Sequence, residues 1–395
     1  MEELLTYVDR RGSGCTKWDH QTEMFGTEGL LPLWIADMDF RVARCVQDAV
    51  RAYADFGVYG YAPAPESYYQ AFMDWERERH GYAVDRQWLR FSPGVVPAFN
   101  WLIQCLTQPE DRVLLLTPVY HPFHHAVANN GRTLVTSQLR EDQGRYTIDI
   151  ADFEQKIVDN QVKLFILCSP HNPVGRVWTQ EELRQMLDIC RRHGVYVIAD
   201  EIHHDLIMPG HTHIPAATVG NYDDMLVTLT APSKTFNLAG LQNALVIIPD
   251  QAIRAKYDDF ATCVRIFTGN AVGYVAAEAA WRGGISWLEQ VKATVLDNFQ
   301  FVRDTLTSAL PKLVVTPLEG TYLMWIDFSA YLSEEEIAPF FQEKCRIGVD
   351  YGSLFGGGHS CCVRLNLATA HEVMAEAVKR ILAHQDALLA KASQI

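Results

Sequence analysis

Five short runs of apolar and β-branched residues, separated by amphipathic stretches, constrain the fold of this chain more than any other feature. The runs begin at Arg112, Lys163, Val195, Met225 and Ala244. Strands that are apolar throughout are typical of a parallel sheet whose two faces are both covered by helices. We therefore predict an α/β protein in which a mostly parallel sheet lies between two layers of helices.

The segment before the run at Val195 carries the clearest helix signals. Thr179 is a predicted N-cap, Glu182 stands three positions further on, and Gly194 is the predicted stop. Apolar residues between them recur at the spacing of one helix face. A helix that leads directly into a strand is the connection that a βαβ unit requires.

The pattern changes after about residue 285. A long helix is predicted over residues 287–310, then a strand-like segment, a helix near residues 333–345 and a last helix from His371. This mixture predicts a smaller α+β domain. We therefore divide the chain into three parts. Residues 1–45 form an N-terminal segment that joins the small domain or a partner subunit, residues 46–285 form a large domain that carries the predicted ligand site, and residues 286–395 form the small domain.

Composition and charge favour an enzyme of small molecules over a protein that binds nucleic acid or membranes. Of the 395 residues, 48% are hydrophobic and 21% charged, as in ordinary soluble proteins. The formal net charge of −14 repels phosphate backbones and anionic lipids, and no basic patch offsets it. The chain lacks a signal-like start, a run long enough to span a bilayer and paired cysteine spacings, so we expect a cytoplasmic protein.

Polar residues follow four of the predicted strands at the point where the strands end. These segments are residues 117–120, 168–175, 200–205 and 231–237. In open α/β sheets, ligands bind beyond the carboxyl ends of the strands. The four segments are therefore expected to form the ligand site.

Their side chains match what the cofactor pyridoxal 5′-phosphate (PLP) needs from a protein. Lys234 supplies an amine that can bond to the cofactor's aldehyde, and burial is expected to lower its pKa so that it acts as nucleophile and base. Asp200 supplies a carboxylate for the pyridine nitrogen. Asn172 and His203 are predicted donors to the phenolate oxygen. Tyr120 is predicted to stack on the ring, and both Tyr120 and Asn172 are expected to meet the substrate.

Two further groups are expected to bind anions. Gly94, Val95 and Val96 open an apolar helix, whose free backbone N–H groups and dipole favour a phosphate, and Ser233 adds a hydroxyl. Arg364 is a single cation in an apolar run. Its guanidinium is suited to bidentate capture of a substrate α-carboxylate.

The ordered set resembles the fold-type I PLP enzymes of the class I/II aminotransferase superfamily. The matching motifs are Asn172-Pro173-x-Gly175, Asp200-x-x-His203, Ser233-Lys234 and Arg364. More narrowly, the chain is similar to the MalY/PatB branch of cystathionine β-lyases at residues 9–19, 32–40, 59–61 and 233–237. The similarity spans nearly the whole chain, and the motifs are specific as a set although each alone is weak.

The resemblance implies a carbon–sulfur β-lyase that converts L-cystathionine or another cysteine S-conjugate to a thiol, pyruvate and ammonia. It also implies a homodimer with shared active sites, in which Tyr59 or Tyr61 reaches the phosphate bound by the neighbouring subunit. Some positions depart from the pattern, among them the stretch from Asn366 to His371, where relatives often have Cys-Pro-Arg. Gln242 stands where many aminotransferases have a phosphate-binding arginine, and His121 follows Tyr120 where an aromatic pair is common.

Other interpretations of single residues stay open on the sequence alone. Lys234 could be a solvated loop residue, Asp200 a helix cap and Arg364 a structural ion-pair partner. Asn172 has turn chemistry as its alternative, and Tyr120 core packing. Tyr59 and Tyr61 could belong to an ordinary aromatic turn. The histidines at positions 203, 204, 211 and 213 lack a complete ligand set, so we predict no metal site.

Two other functions also stay open. An aminotransferase would use the same residues up to loss of the α-proton and would differ only in where the proton returns. A regulatory binding protein on the same scaffold is suggested by the MalY resemblance, and its partner surface would leave no motif in the sequence.

Overall fold

A seven-stranded sheet forms the centre of the computed structural model, which describes residues 5–392. In spatial order its strands are Leu89–Ser92, Ala244–Ile247, Leu226–Thr230, Tyr196–Asp200, Leu164–Cys168, Arg112–Thr117 and Thr133–Gln138. All pairings are parallel except the two made by Ala244–Ile247, which runs against both neighbours. The sheet confirms the predicted α/β class.

Helices cover both faces of this sheet, which explains why its strands are apolar throughout. Leu114 packs against one helical layer, and Val113, its neighbour in the strand Arg112–Thr117, packs against the other. Successive side chains of a strand point to opposite faces, so both faces are buried. The covering helices are Arg44–Phe56, Glu66–His80, Val95–Leu106, Pro122–Asn129, Ile150–Asn160, Gln180–Arg192, Gln251–Val264 and Ala271–Gly283.

The helix Gln180–Arg192 begins and ends as its sequence predicts. The Thr179 hydroxyl accepts a hydrogen bond from the Glu182 backbone N–H at 3.2 Å, and the Glu182 carboxylate accepts one from the Thr179 N–H at 2.8 Å. This reciprocal capping box satisfies two backbone donors that the helix itself cannot. Gly194 follows with a φ of +66°, the left-handed conformation that glycine adopts after a helix.

A second, antiparallel sheet of four strands is formed by the C-terminal part of the chain. Its strands, in spatial order, are Val314–Val315, Leu323–Asp327, Cys362–Asn366 and Asp350–Tyr351. The helices of this part are Ile285–Ala309, Glu334–Pro339, His371–Leu382 and Gln385–Ala392. The predicted helix over residues 287–310 is thus confirmed within two residues. No helix within residues 5–392 combines the length and the apolar character that a bilayer span requires.

The N-terminal segment lies against both sheets. It contains the short helices Thr16–Asp19 and Gln21–Phe25, and its strand Leu31–Pro32 pairs in parallel with Ile347–Gly348. The side chain of Asn366, from the four-stranded sheet, donates to the carbonyls of residues 35 and 37 at 2.6 Å. The division into residues 1–45, 46–285 and 286–395 stays a prediction, and residues 1–4 and 393–395 of its outer parts lie outside the described residues.

Candidate active site

The carboxyl ends of the parallel strands open into a cavity of about 190 Å³. This is the edge at which open α/β sheets bind ligands. The predicted site residues that line it are Gly94, Val95, Val96, Tyr120, Asn172, Asp200, His203, Ser233 and Lys234. Segments far apart in the sequence therefore meet in one cavity, as the sequence analysis expects.

Lys234 lies on a single helical turn, Pro232–Thr235, directly after the strand Leu226–Thr230. Its Nζ donates a hydrogen bond to the backbone carbonyl of Ala36 at 2.6 Å. Burial lowers the pKa of Lys234 to about 8, although the carboxylates of Asp37 and Asp200 act in the opposite direction. At pH 7 about a tenth of this amine is therefore uncharged and nucleophilic, far more than for a lysine with the ordinary pKa.

Asp200 is the last residue of the strand Tyr196–Asp200 and is buried. Burial raises the pKa of Asp200 to about 7, while the backbone N–H of Ile202, which donates to its Oδ1 at 3.1 Å, and Lys234 lower it. A carboxylate in this position favours a cationic partner in the cavity, because such a partner offsets the cost of burying its charge.

His203 follows on the turn after Asp200, and its ring contacts Tyr322 at a centroid distance of 5.9 Å. Burial lowers the pKa of His203 well below its ordinary value, and the positive charges of Lys234 and Arg364 act in the same direction. The imidazole is therefore neutral. Its buried Nδ1 has no hydrogen-bond partner among the described residues, which leaves that atom for a ligand in the cavity.

Asn172 connects the cavity to the four-stranded sheet. Its Oδ1 accepts a hydrogen bond from Arg364 Nη1 at 3.0 Å, and its backbone carbonyl accepts one from the Tyr120 N–H at 3.0 Å. Because the amide oxygen faces Arg364, the amide NH₂ group is the end that can donate to a ligand.

Arg364 is buried on the strand Cys362–Asn366 and reaches the cavity through Asn172. Its Nη2 forms an ion pair with Asp350 and donates to the Trp34 carbonyl at 3.1 Å, and its guanidinium lies 5.1 Å from the Phe355 ring centre. The ion pair that the sequence leaves open as an alternative is therefore present. Arg364 Nε is buried without a partner among residues 5–392, so one donor is still available.

The start of the helix Val95–Leu106 forms the end of the cavity that is suited to an anion. The first N–H groups of a helix have no partner within it and carry the positive end of the helix dipole. Ser233 and Gln242 lie at the same cavity, and Lys234 is the only lysine or arginine among its described lining residues. An anion would thus be bound within one chain by N–H and hydroxyl groups.

Of the three predicted site tyrosines, only Tyr120 lies at the active-site cavity. Tyr120 lines the cavity, packs edge-on against Phe123 at 5.7 Å, and has its pKa raised to about 12 by burial. Tyr59 and Tyr61 are exposed and line a separate surface cavity with Asn270. A single chain therefore does not bring these two tyrosines to Lys234.

The sequence analysis misses Asn243, whose buried side chain also lines the cavity. Its Oδ1 accepts a hydrogen bond from the Tyr68 hydroxyl at 2.6 Å, and its Nδ2 has no partner among the described residues. Asn243 precedes a strand, Ala244–Ile247, whereas the polar segments singled out in the sequence follow strands. Because this strand runs antiparallel to its neighbours, its beginning lies at the edge where the others end.

Comparison with known proteins agrees with the geometry. The chain is 40% identical over 379 residues to "Cystathionine beta-lyase PatB" of Bacillus subtilis (strain 168). The aligned region covers 95% of this chain and 97% of the relative. It is 32% identical to "Protein MalY" of Escherichia coli (strain K12), with coverage of 93% and 94%.

Solved structures give the same result. The PLP-bound C-S lyase from Staphylococcus hominis matches with a TM-score of 0.91 at 32% identity and covers 97% of each chain. Cystalysin from Treponema denticola, which contains PLP, matches with a TM-score of 0.93 at 33% identity and covers 99% of each. A family model described as "Aminotransferase class I and II" matches residues 35–381. This protein therefore belongs to the class I and II aminotransferase family.

Proposed function

We propose that this protein is a PLP-dependent lyase that cleaves the carbon–sulfur β bond of L-cystathionine or another cysteine S-conjugate, with a thiol, pyruvate and ammonia as products. The observation that carries the proposal is the meeting of the Lys234 amine and the Asp200 carboxylate in one cavity at the strand ends. The relatives named as cystathionine β-lyases and C-S lyases favour β-elimination over amino-group transfer.

The residues of the cavity fit PLP. The partner-free Nδ1 of His203 and the NH₂ group of Asn172 suit the phenolate oxygen, and the buried Asp200 carboxylate suits a protonated pyridine nitrogen. The N–H groups at Gly94 to Val96 and the Ser233 hydroxyl suit the phosphate. When bound, PLP supplies an electron-withdrawing ring that stabilises negative charge on the substrate's α-carbon.

Lys234 performs the proton transfers. Its neutral Nζ accepts the α-proton of the substrate, the sulfur then leaves with the electron pair of the C–S bond, and the same Nζ returns a proton to that sulfur. The aminoacrylate that remains takes up one water and hydrolyses to pyruvate and ammonia. A pKa of about 8 suits both steps, because near neutral pH the amine both accepts and releases a proton readily.

Arg364 binds the α-carboxylate of the substrate. Its Nη groups already donate to Asn172, Trp34 and Asp350, so the buried Nε is the donor that the carboxylate would occupy. The ion pair with Asp350 fixes the plane of the guanidinium before the substrate arrives. Tyr120 is placed to stack on the cofactor ring and to contact the substrate.

The active enzyme is a homodimer in the cytoplasm, in which Tyr59 or Tyr61 of one subunit contacts the phosphate bound by the other. The support is the exposure of neighbouring apolar residues, including Phe56 and Val58, on a surface that a soluble monomer would have to hydrate. No cysteine among residues 5–392 forms a disulfide, which fits a reducing compartment. Sedimentation analysis tests the dimer, and Tyr59→Phe and Tyr61→Phe variants that bind PLP as tightly as wild type would contradict the shared site.

The decisive assay incubates the purified protein and PLP with L-cystathionine and follows pyruvate and free thiol. We expect both products to appear in equal amounts, and neither to appear with the Lys234→Ala variant. Transfer of the amino group to an added 2-oxo acid without release of thiol would instead show an aminotransferase. Aminotransferases share this fold, so both reactions are measured on the same preparation.

A further inference from the structure

A second buried polar cluster lies behind the active-site cavity, between the helix Glu66–His80 and the turn that follows Asp200. Glu76 and His80 are four residues apart and so lie on the same face of that helix. His204 approaches them from the turn. One ligand atom from each of these three side chains can be chosen so that all lie within 4.8 Å of one another.

Two atoms of this cluster have unused bonding capacity. Glu76 and His204 are each only 4% exposed, and neither Glu76 Oε1 nor His204 Nε2 has a hydrogen-bond partner among residues 5–392. The two atoms lie 3.3 Å apart, within ion-pair distance, and His204 Nε2 is equally far from Asp205 Oδ2. Two ligands on a tetrahedral ion with bonds of about 2.0–2.1 Å are separated by roughly 3.3 Å, so the spacing fits joint coordination of one metal ion.

The cluster also has too little positive charge of its own. Glu76 and Asp205 are two buried carboxylates in contact with its histidines. Among the described lysines and arginines, only Arg79 forms an ion pair with either of them, at 3.3 Å from Asp205. With the histidines neutral, as metal ligands are, two carboxylates and one guanidinium leave a formal excess of one negative charge, which a bound cation would offset.

An ion can reach this cluster from the surface. A cavity of about 420 Å³ is lined by His80, His204 and Asp205 on its inner side and by the exposed His211 on its outer side. It is large enough to hold water that would complete the coordination of a bound ion. Asp205 lies 3.0 Å from His80 Nε2, and the Glu201 backbone carbonyl lies 2.5 Å from His204 Nδ1, so each ring is held through one nitrogen and can coordinate through the other.

We propose that Glu76, His80 and His204 bind a divalent transition-metal ion of the zinc class, with water from the cavity as a further ligand. Two imidazoles and one carboxylate are a ligand set that zinc accepts. The sequence analysis predicts no metal site because the histidines after Asp200 lack a complete set. The missing ligands come from a helix more than a hundred residues earlier in the chain.

A bound ion would support the frame of the active site. It would join the helix Glu66–His80 to the turn that carries His203. Asp205 extends the connection, because its Oδ2 accepts a hydrogen bond from the Thr235 hydroxyl at 2.8 Å, and Thr235 directly follows Lys234. The role is structural, and it holds whether the enzyme is a lyase or an aminotransferase.

The test uses the PLP-loaded protein after treatment with a chelator and dialysis. Co²⁺ is titrated in, the visible absorption of tetrahedral Co²⁺ is followed, and Zn²⁺ is then added to displace it. We expect one ion per chain. His204→Gln and Glu76→Gln are each expected to weaken binding more than tenfold, because each removes a ligand, while the matched control His211→Gln binds as tightly as wild type.

Thermal unfolding gives a second readout that does not depend on activity. Added Zn²⁺ is expected to raise the melting temperature of the wild type and of His211→Gln, and to leave that of His204→Gln unchanged. Should Glu76→Gln fail to fold, His80→Gln and His204→Gln carry the comparison. Absence of stoichiometric binding to the wild type, or equal affinity in His204→Gln, would overturn the proposal and leave protonated histidines as the source of the balancing charge.

Discussion

A buried lysine in the N-terminal segment and a partly buried lysine in the predicted active-site cavity differ in what faces the amine. Lys17, in the N-terminal segment, is 0% exposed, and its Nζ lies 2.9 Å from the carboxylate of Asp39. Lys234, in the active-site cavity, donates to the uncharged backbone carbonyl of Ala36. No carboxylate among the described residues forms a salt bridge with Lys234, although Asp37 and Asp200 act on it from a greater distance.

The difference teaches that burial alone does not make a lysine reactive. A carboxylate in direct contact offsets the cost of burying an ammonium group, so Lys17 serves as a structural cation. Lys234 lacks such a partner, and burial therefore lowers its pKa to about 8. Four predictions test this contrast.

The largest expected effect is the loss of catalysis on replacing Lys234. In Lys234→Ala, pyruvate release from L-cystathionine should fall by roughly a thousandfold or more, because both proton transfers lose their group. After borohydride reduction, mass spectrometry should find the cofactor attached to the peptide that contains position 234 in the wild type only. The surface variant Lys156→Ala is the control, and a Lys234→Ala activity within tenfold of wild type would exclude the assigned role.

The structural lysine should show the opposite behaviour. Lys17→Met leaves the carboxylate of Asp39 buried without its closest cation, so we expect the free energy of unfolding to fall by about 3–5 kcal/mol. Urea unfolding measures this loss, and the fraction that stays folded should still release pyruvate. Lys156→Met, on the surface, should change stability by less than about 0.5 kcal/mol. A Lys17→Met variant that is as stable as the wild type but inactive would contradict the assignment of Lys17 to stability and of Lys234 to catalysis.

Asp200→Asn should lower activity by roughly a hundredfold, because an amide cannot provide the negative charge that keeps the ring nitrogen protonated. The same change should stabilise the protein without cofactor. The folded-state pKa of Asp200 is about 7, raised from 3.8, so its contribution to stability decreases as pH rises from about 4 to 7.

Above pH 7 the cofactor-free Asp200→Asn variant should therefore be more stable than the cofactor-free wild type by about 1–3 kcal/mol. The gap should close as the pH falls towards 3.8, the ordinary pKa of an aspartate. Denaturant titrations at a series of pH values measure both trends. A gap that does not vary with pH would mean that burial of the charge is not its cause.

The smallest effect concerns the rate at which PLP bonds to the cofactor-free protein. Only the neutral amine attacks the aldehyde, so the rate should rise with pH and level off above a midpoint near pH 8. Below the midpoint it should fall about tenfold per pH unit, because each unit reduces the neutral fraction tenfold. Stopped-flow absorbance provides the rate. A midpoint near 10.5, the ordinary pKa of lysine, would show that the amine is not perturbed.

The seven-stranded sheet and much of the site follow from local sequence patterns. Each apolar run is a strand, and the residues after the parallel strands, such as Asp200 and Asn172, meet in the cavity as expected. This succeeds because parallel strands place all their carboxyl ends at one edge. A residue that stands at the carboxyl end of a parallel strand in the sequence therefore lies at this edge of the sheet in space.

The rule fails where that relation changes. Asn243 is not predicted because its strand is antiparallel to its neighbours, so the residue that lines the cavity precedes the strand instead of following it. The ion pair of Arg364 with Asp350 depends on the register between two short strands of the other sheet, which no local pattern encodes. The approach of Glu76 to His204 depends on how a helix packs against a distant turn. Tertiary contacts of this kind are set by the packing of the whole chain.

The backbone carbonyl of Ala36 accepts hydrogen bonds both from Lys234 and, at 2.7 Å, from the hydroxyl of Tyr322, which directly precedes the strand Leu323–Asp327 of the four-stranded sheet. One peptide group thus joins the amine of Lys234, through two hydrogen bonds, to the part of the chain that carries Arg364. A displacement of that sheet, such as the pull of a carboxylate on the guanidinium, would be transmitted to the amine through this shared acceptor. Capture of the substrate at one end and release of the lysine at the other would then be a single motion.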